Sequence, residues 1–175
     1  MQFELTDEFL TDLRTAIDAQ NGGFVVEQFH KLYPPDIAEI FNKLEIEEAK
    51  YVYKQLDEQV AADVLVELED DVRERFLASL TSKEIAEQFI DNMDSDDAAD
   101  VIAELPDKVQ DEVLAHIEDS EQASDIVDLL NYDEASAGGL MRKEFVRVQI
   151  NSKAVECVSE IREHSGSRRI DPGFR

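Results

Sequence analysis

Asp96 and Asp100 stand four residues apart in the segment DSDDAAD, a spacing that puts both carboxylates on one face of a helix. Two like charges at that spacing cost a helix about 0.2–0.5 kcal/mol, and a hard cation shared between them reverses the sign. Asp94 and Asp97 are neighbours that could substitute as ligands. Magnesium keeps several waters and takes one or two carboxylates from a site, so a sparse pair on an open surface suits it better than a closed cage. The whole chain leans the same way: 42 acidic residues against 17 basic ones leave a formal net charge of -25. Such a charge repels nucleic-acid phosphates and anionic membranes, attracts cations and basic partners, and opposes compaction by self-repulsion that bound divalent ions relieve. A plainer reading stands beside this one. Asp96 follows Ser95 near a helix start, where the helix dipole favours a carboxylate with no metal present, and in so acidic a chain most carboxylates belong to a solvated face.

Other chemistries find no constellation to carry them. His30, His116 and His164 are far apart and form no zinc-binding spacing. Gly22-Gly23 and Gly138-Gly139 lack the Lys-Ser/Thr or the strand-to-helix setting of a phosphate loop, and there is no GxSxG elbow. Cys157 is the single cysteine, which excludes an internal disulfide and a thiolate zinc site and suits a reducing compartment. Carboxylate pairs abound, but none sits in a pattern that implies the desolvated pocket acid–base catalysis needs. The chain reads as a protein that binds and responds, not as an enzyme. It has no run of 18 apolar residues and no signal-like N-terminus, so it reads as soluble, with no membrane insertion of its own.

The elements that must position these acids repeat. Apolar residues at i, i+3, i+4 and i+7 mark one helical face, and the template recurs at Ile37-Ile40-Phe41-Leu44, Ala49-Val52-Tyr53-Leu56, Ala61-Val64-Leu65-Leu68, Ala86-Phe89-Ile90-Met93, Ala98-Val101-Ile102-Leu105 and Ala123-Ile126-Val127-Leu130. Two further copies begin on a polar residue: Arg73 before Phe76, Leu77 and Leu80, and Gln110 before Val113, Leu114 and Ile117. Each copy restarts after a short polar break at Asp57, Glu69-Asp70, Thr81-Ser82, Asp94-Ser95, Pro106-Asp107 or Asp119-Ser120, where Ser95 and Ser120 read as N-caps. Helices of nine or ten residues are marginal alone, so each must bury its stripe against neighbours, as in a solenoid of helical hairpins. Upstream, Thr6 caps a helix carrying Phe9, Leu10, Leu13 and Ile17, and a second helix over 24–32 completes a cap on the array. The expected fold is all-α: a superhelix, of either hand, of about ten short helices in stacked hairpins over residues 1–131. Residues 132–142 read as a linker. Phe145 to Ile150 alternates as a strand would, and Ser152 caps a following helix, giving a short β-α fragment over 143–164. The tail 165–175 continues neither pattern and reads as non-native or disordered.

PPDIAEIFNKL (34–44), AADVLVEL (61–68), DSDDAADVIAEL (94–105) and above all SAGGLMRKEFVRV (136–148) resemble the MgtE-type magnesium transporters. The resemblance covers roughly residues 24–163. It implies an acidic N-terminal superhelix followed by the opening strand and helix of a first CBS module, cut short. It also implies a regulatory, magnesium-sensing role at the cytoplasmic face of the cell membrane, with the CBS modules and transmembrane domain of the full-length homodimer as partners. Bound magnesium would bridge the superhelix to the CBS modules and favour the closed pore. By position, the resemblance makes Asp63, Asp96 and Asp100 ligands of such ions, weak ones where the CBS modules are missing. The rival reading is a helical-repeat interaction scaffold like the flagellar motor-switch proteins, but AGGLM running into a strand favours the transporter.

Overall fold

The computed structural model describes residues 3–133, 136–145 and 148–165, the last three by backbone alone. Two units are separated at Met141 and Arg142. The first opens with α1 (Asp7–Asp18) and α2 (Gly22–Phe29), followed by eight helices of seven to ten residues. These are α3 (Pro34–Phe41), α4 (Ile46–Tyr53), α5 (Glu58–Val66), α6 (Asp70–Leu77), α7 (Ser82–Gln88), α8 (Ser95–Ala103), α9 (Asp107–Leu114) and α10 (Ser120–Leu129), with a 3-10 turn over Ile90–Asn92 before α8. The second unit contributes α11 (Ala154–Ser165).

Packing follows from the short period. Much of the packing joins helices two places apart, α3 on α5, α4 on α6, α5 on α7, α7 on α9 and α8 on α10, while α1 packs on α2 and α8 on α9 as successive pairs. All four template residues of α5, α7 and α8 are buried. At the centre Phe76 sits edge-on to Phe41, Tyr53 and Phe89, with ring centroids 6.3, 5.3 and 6.0 Å away. The leading pair closes one end: Leu13 and Val25 are fully buried, and Phe9 meets Phe3 at 5.5 Å and Phe29 at 6.4 Å.

The two polar residues that lead their templates have the same job. Arg73 Nη1 donates to the carbonyls of Val66 and Leu68, seven and five residues back, both at 3.2 Å. Gln110 Nε2 donates at the same two offsets, to Ala103 at 3.5 Å and Leu105 at 2.8 Å. Each satisfies carbonyls that the end of the preceding helix leaves without an intrahelical donor.

Several boundaries differ from the sequence expectation. Asp94 and Asp119, not Ser95 and Ser120, occupy the N-cap positions; Asp119 Oδ1 accepts from the amides of Glu121 and Gln122, while Ser95 is the fully buried first residue of α8. Before α11, the Lys153 amide donates to Glu156 at 2.8 Å, which puts the cap at Lys153 and not Ser152. The second helix, expected over 24–32, opens instead on Gly22 and Gly23 behind the cap Asn21 and ends at Phe29. Gln20, at φ 51°, is the residue that takes the left-handed conformation ending α1. The strand expected over 145–150 does not appear among the described residues: Phe145, Val148 and Gln149 are irregular, Ile150 lies in a turn, and Val146 and Arg147 fall outside the description. Alternation alone does not make a strand, which forms only where a neighbouring strand receives its amides and carbonyls. The expectation for the tail lies outside the described residues beyond Ser165.

Candidate metal centre

The carboxylates that draw closest together stand at the start of α8. The chain reaches this point through the 3-10 turn over Ile90–Asn92, and a buried residue of α10 holds it there: Gln122 Nε2 donates to Ile90 O at 2.9 Å and to Met93 O at 3.1 Å. Met93 and Asp94 are extended, and the Asp94 carbonyl then accepts the first helical bond from Ala98 N at 2.9 Å. Ala98, Ala99, Val101 and Ile102 bury the inner side of α8, which leaves the acids of its first turn at the rim.

Asp94, Asp96 and Asp97 each bring one carboxylate oxygen to within 4.8 Å of the others, and all three side chains are half-buried. Asp96 Oδ1 is shielded from solvent. An octahedral ion with oxygens at 2.0–2.1 Å places its ligands roughly 3 Å apart when adjacent and about 4 Å when opposed. Oxygens within 4.8 Å of one another can serve such an ion directly or through waters it keeps. Against this stands the positive end of the helix dipole, which favours carboxylates here without a cation. Asp100 lies one turn further on and is exposed; it is outside the trio. Asp63 is on α5, exposed, and accepts from Gln59 Nε2 at 2.9 Å; it too is outside. Of the three residues expected from sequence, the trio contains Asp96 alone, joined by its flanking neighbours. Their DSDD spacing around a helix start was the signal that could have grouped them.

A second acidic cluster lies behind the 3-10 turn. Asp91 Oδ1 accepts the Glu118 amide at 3.3 Å. Desolvation raises the Asp91 pKa; the Glu118 amide opposes that shift, and the charges of Glu118, Glu87 and Asp119 add to it. The carboxylate is thus held by a backbone donor among like charges.

No helix among the described residues is long and apolar enough to cross a membrane. The fold is similar to two crystal structures, each with TM-score 0.77, 22% sequence identity and coverage of 91% of this chain: the soluble part of a magnesium transporter, and the cytosolic domain of the Mg2+ channel MgtE in complex with ATP. The chain spans 62% and 64% of those chains. No curated protein matches it significantly. The family model that does match describes part of a transport protein rather than an enzyme; it covers residues 32–135, from before α3 to beyond α10, and by it the chain belongs to the MgtE intracellular N domain family.

Proposed function

We propose that this chain is a regulatory, magnesium-sensing region of a magnesium transporter, acting at the cytoplasmic face of the cell membrane. The family match carries the reading, and the carboxylate trio at α8 supplies a place where a divalent ion would act. Asp96 is the centre of that place, with Asp94 and Asp97 beside it; Asp100 and Asp63 would extend the acidic surface toward a second partner. In this reading residues 132–142 are a linker and 143–164 begin a CBS module. The partners are the CBS modules and the transmembrane domain of a homodimeric transporter. At low magnesium the acidic surfaces repel one another and separate. At high magnesium shared ions offset the repulsion and favour a docked state, by as much as the ion prefers that state over the open one. The family match favours this over an interaction scaffold of the motor-switch kind.

Thermal melting with and without millimolar MgCl2 tests the ion-binding half of the proposal. Magnesium should raise Tm by about 2–4 °C, the shift that about 1 kcal/mol of linkage gives a domain of this size. The triple variant Asp94→Asn, Asp96→Asn, Asp97→Asn should melt higher without magnesium and respond little to it. Equal magnesium responses in the two proteins would remove the trio from the mechanism, and a response matched by an equal ionic strength of NaCl would reduce it to screening.

A further inference from the structure

The helical array closes at one end and stays open at the other. The third residue of the apolar template is buried in every copy from α3 to α8, as Phe41, Tyr53, Leu65, Leu77, Ile90 and Ile102, all at most 4% exposed. In α9 the equivalent Leu114 is partly buried, and in α10 Val127 is 47% exposed. The cause is positional. The stripes of α5 and α7 are covered from both sides, by α3 and α7 and by α5 and α9, whereas within the first unit no helix follows α10. Ile126, Leu129 and Gln122 turn inward, α10 packs on α8, and the stripe Ala123-Val127-Leu130 is left along its outer edge. Repeat arrays whose last unit is not rendered polar in this way need something to cover it.

The surrounding charge says what that is. From 109 to 141 the sequence has nine acidic residues and no lysine or arginine. On α10 itself, Glu121 and Asp128 are exposed on the side of the stripe turned away from the core. A second copy of the chain would bring acid against acid, at a formal charge of -25 each. We propose that the open edge of α10 is a docking surface for an amphipathic, basic helix of a partner protein. Its apolar side would take the place of the missing next helix over Val127, and its lysines or arginines would meet Glu121 and the acidic surface around it. The helical form follows from the array, where the buried stripes of α3, α5, α7 and α8 are packed against other helices; the basic flanks follow from charge complementarity.

The test is fluorescence anisotropy of the full chain with a labelled amphipathic peptide of leucine and lysine, beside a control peptide in which serine replaces every leucine. The Leu/Lys peptide should bind saturably, and more weakly as salt rises. Val127→Asp should weaken it about tenfold even though it adds a negative charge, because the lost term is apolar. Val26→Asp, at an equally exposed valine (49%) on α2, should bind like wild type. Equal affinity for the serine control, or for Val127→Asp, overturns the proposal by leaving only general electrostatic attraction. So does concentration-dependent self-association in sedimentation that Val127→Asp abolishes, which would assign the edge to a second copy.

Discussion

The two ends of the array are built from the same kind of sequence and finish differently. At the leading end α1 lies against α2 and α4, its Leu13 fully buried, and Arg14 fastens it by donating to the Lys43 carbonyl at 2.9 Å and to Glu48 at 3.2 Å. At the trailing end α9 and α10 keep only part of their stripes from water, and their charges are acidic with Lys108 as the last base before Arg142. The apolar template is a property of each helix; burial is a property of its neighbours. The pattern thus continues unchanged to a point where no further helix of the unit follows, and there it turns from core into surface.

Paired truncations measure that difference most directly. Leu13→Ala at the closed end should cost about 2–5 kcal/mol in urea unfolding, the transfer energy of the lost atoms plus a cavity the packed site cannot collapse. Val127→Ala at the open end should stay within about 0.5 kcal/mol, as surface changes do. Comparable losses at the two positions would mean that α10 is covered after all. A smaller contrast separates the residues that tie the helices together. Besides the two carbonyls, Arg73 grips Glu104 beyond α8 through Nε at 2.8 Å and through Nη2, and reaches Asp70 at 3.0 Å. Gln110 bonds only to its two carbonyls. Arg73→Met should therefore cost about 2 kcal/mol, discounted for the partial exposure of Glu104, and Gln110→Met about 1 kcal/mol. Added salt should narrow the gap, because only the arginine carries a charge.

These two residues also mark the limit of what the sequence discloses. The eight-fold template and its leading pair were readable because periodic burial leaves a periodic trace, and Arg73 and Gln110 were readable as exceptions to it. Their purpose was not, because a carbonyl seven residues back leaves no mark on residue type. Caps were misplaced by one where two good capping residues adjoin, at Asp94-Ser95 and Asp119-Ser120; composition cannot rank them, whereas burial of Ser95 in the core can. The acid trio was half-readable. Its members were all in view, but the i, i+4 rule paired Asp96 with Asp100 along the helix, while the extended entry at Asp94 folds that carboxylate back toward Asp96 and Asp97. Val127 shows the same limit from the other side: in sequence it is one more core position.

The finest test of the contrast between the two halves is the sign of their response to pH. Glu84 caps α7: its Oε2 accepts from Thr81 N and Oγ1, each at 2.9 Å, and these bonds, aided by Lys54 and Lys50, lower its pKa against a small desolvation cost. Its stabilising contribution is present above the unfolded carboxyl pKa and is lost as pH falls through the lower folded value. Asp91, where the neighbouring charges that shift its pKa, Glu118, Glu87 and Asp119, are all acidic, runs the other way. Its folded pKa is raised, so the folded state takes up the proton first, and the charged form opposes folding at neutral pH. Asp91→Asn can keep an oxygen for the Glu118 amide while removing the charge. The variant should be more stable than wild type by about 0.5 kcal/mol at pH 7, and the advantage should vanish as pH falls through the folded Asp91 pKa toward the unfolded one. Glu84→Gln should be less stable than wild type at pH 7, with its deficit vanishing only at lower pH. Urea midpoints measured across this range for both variants decide the matter. If Asp91→Asn loses stability at neutral pH, its bond to Glu118 outweighs the repulsion around it, and the trailing half is held together by its acids as the leading half is.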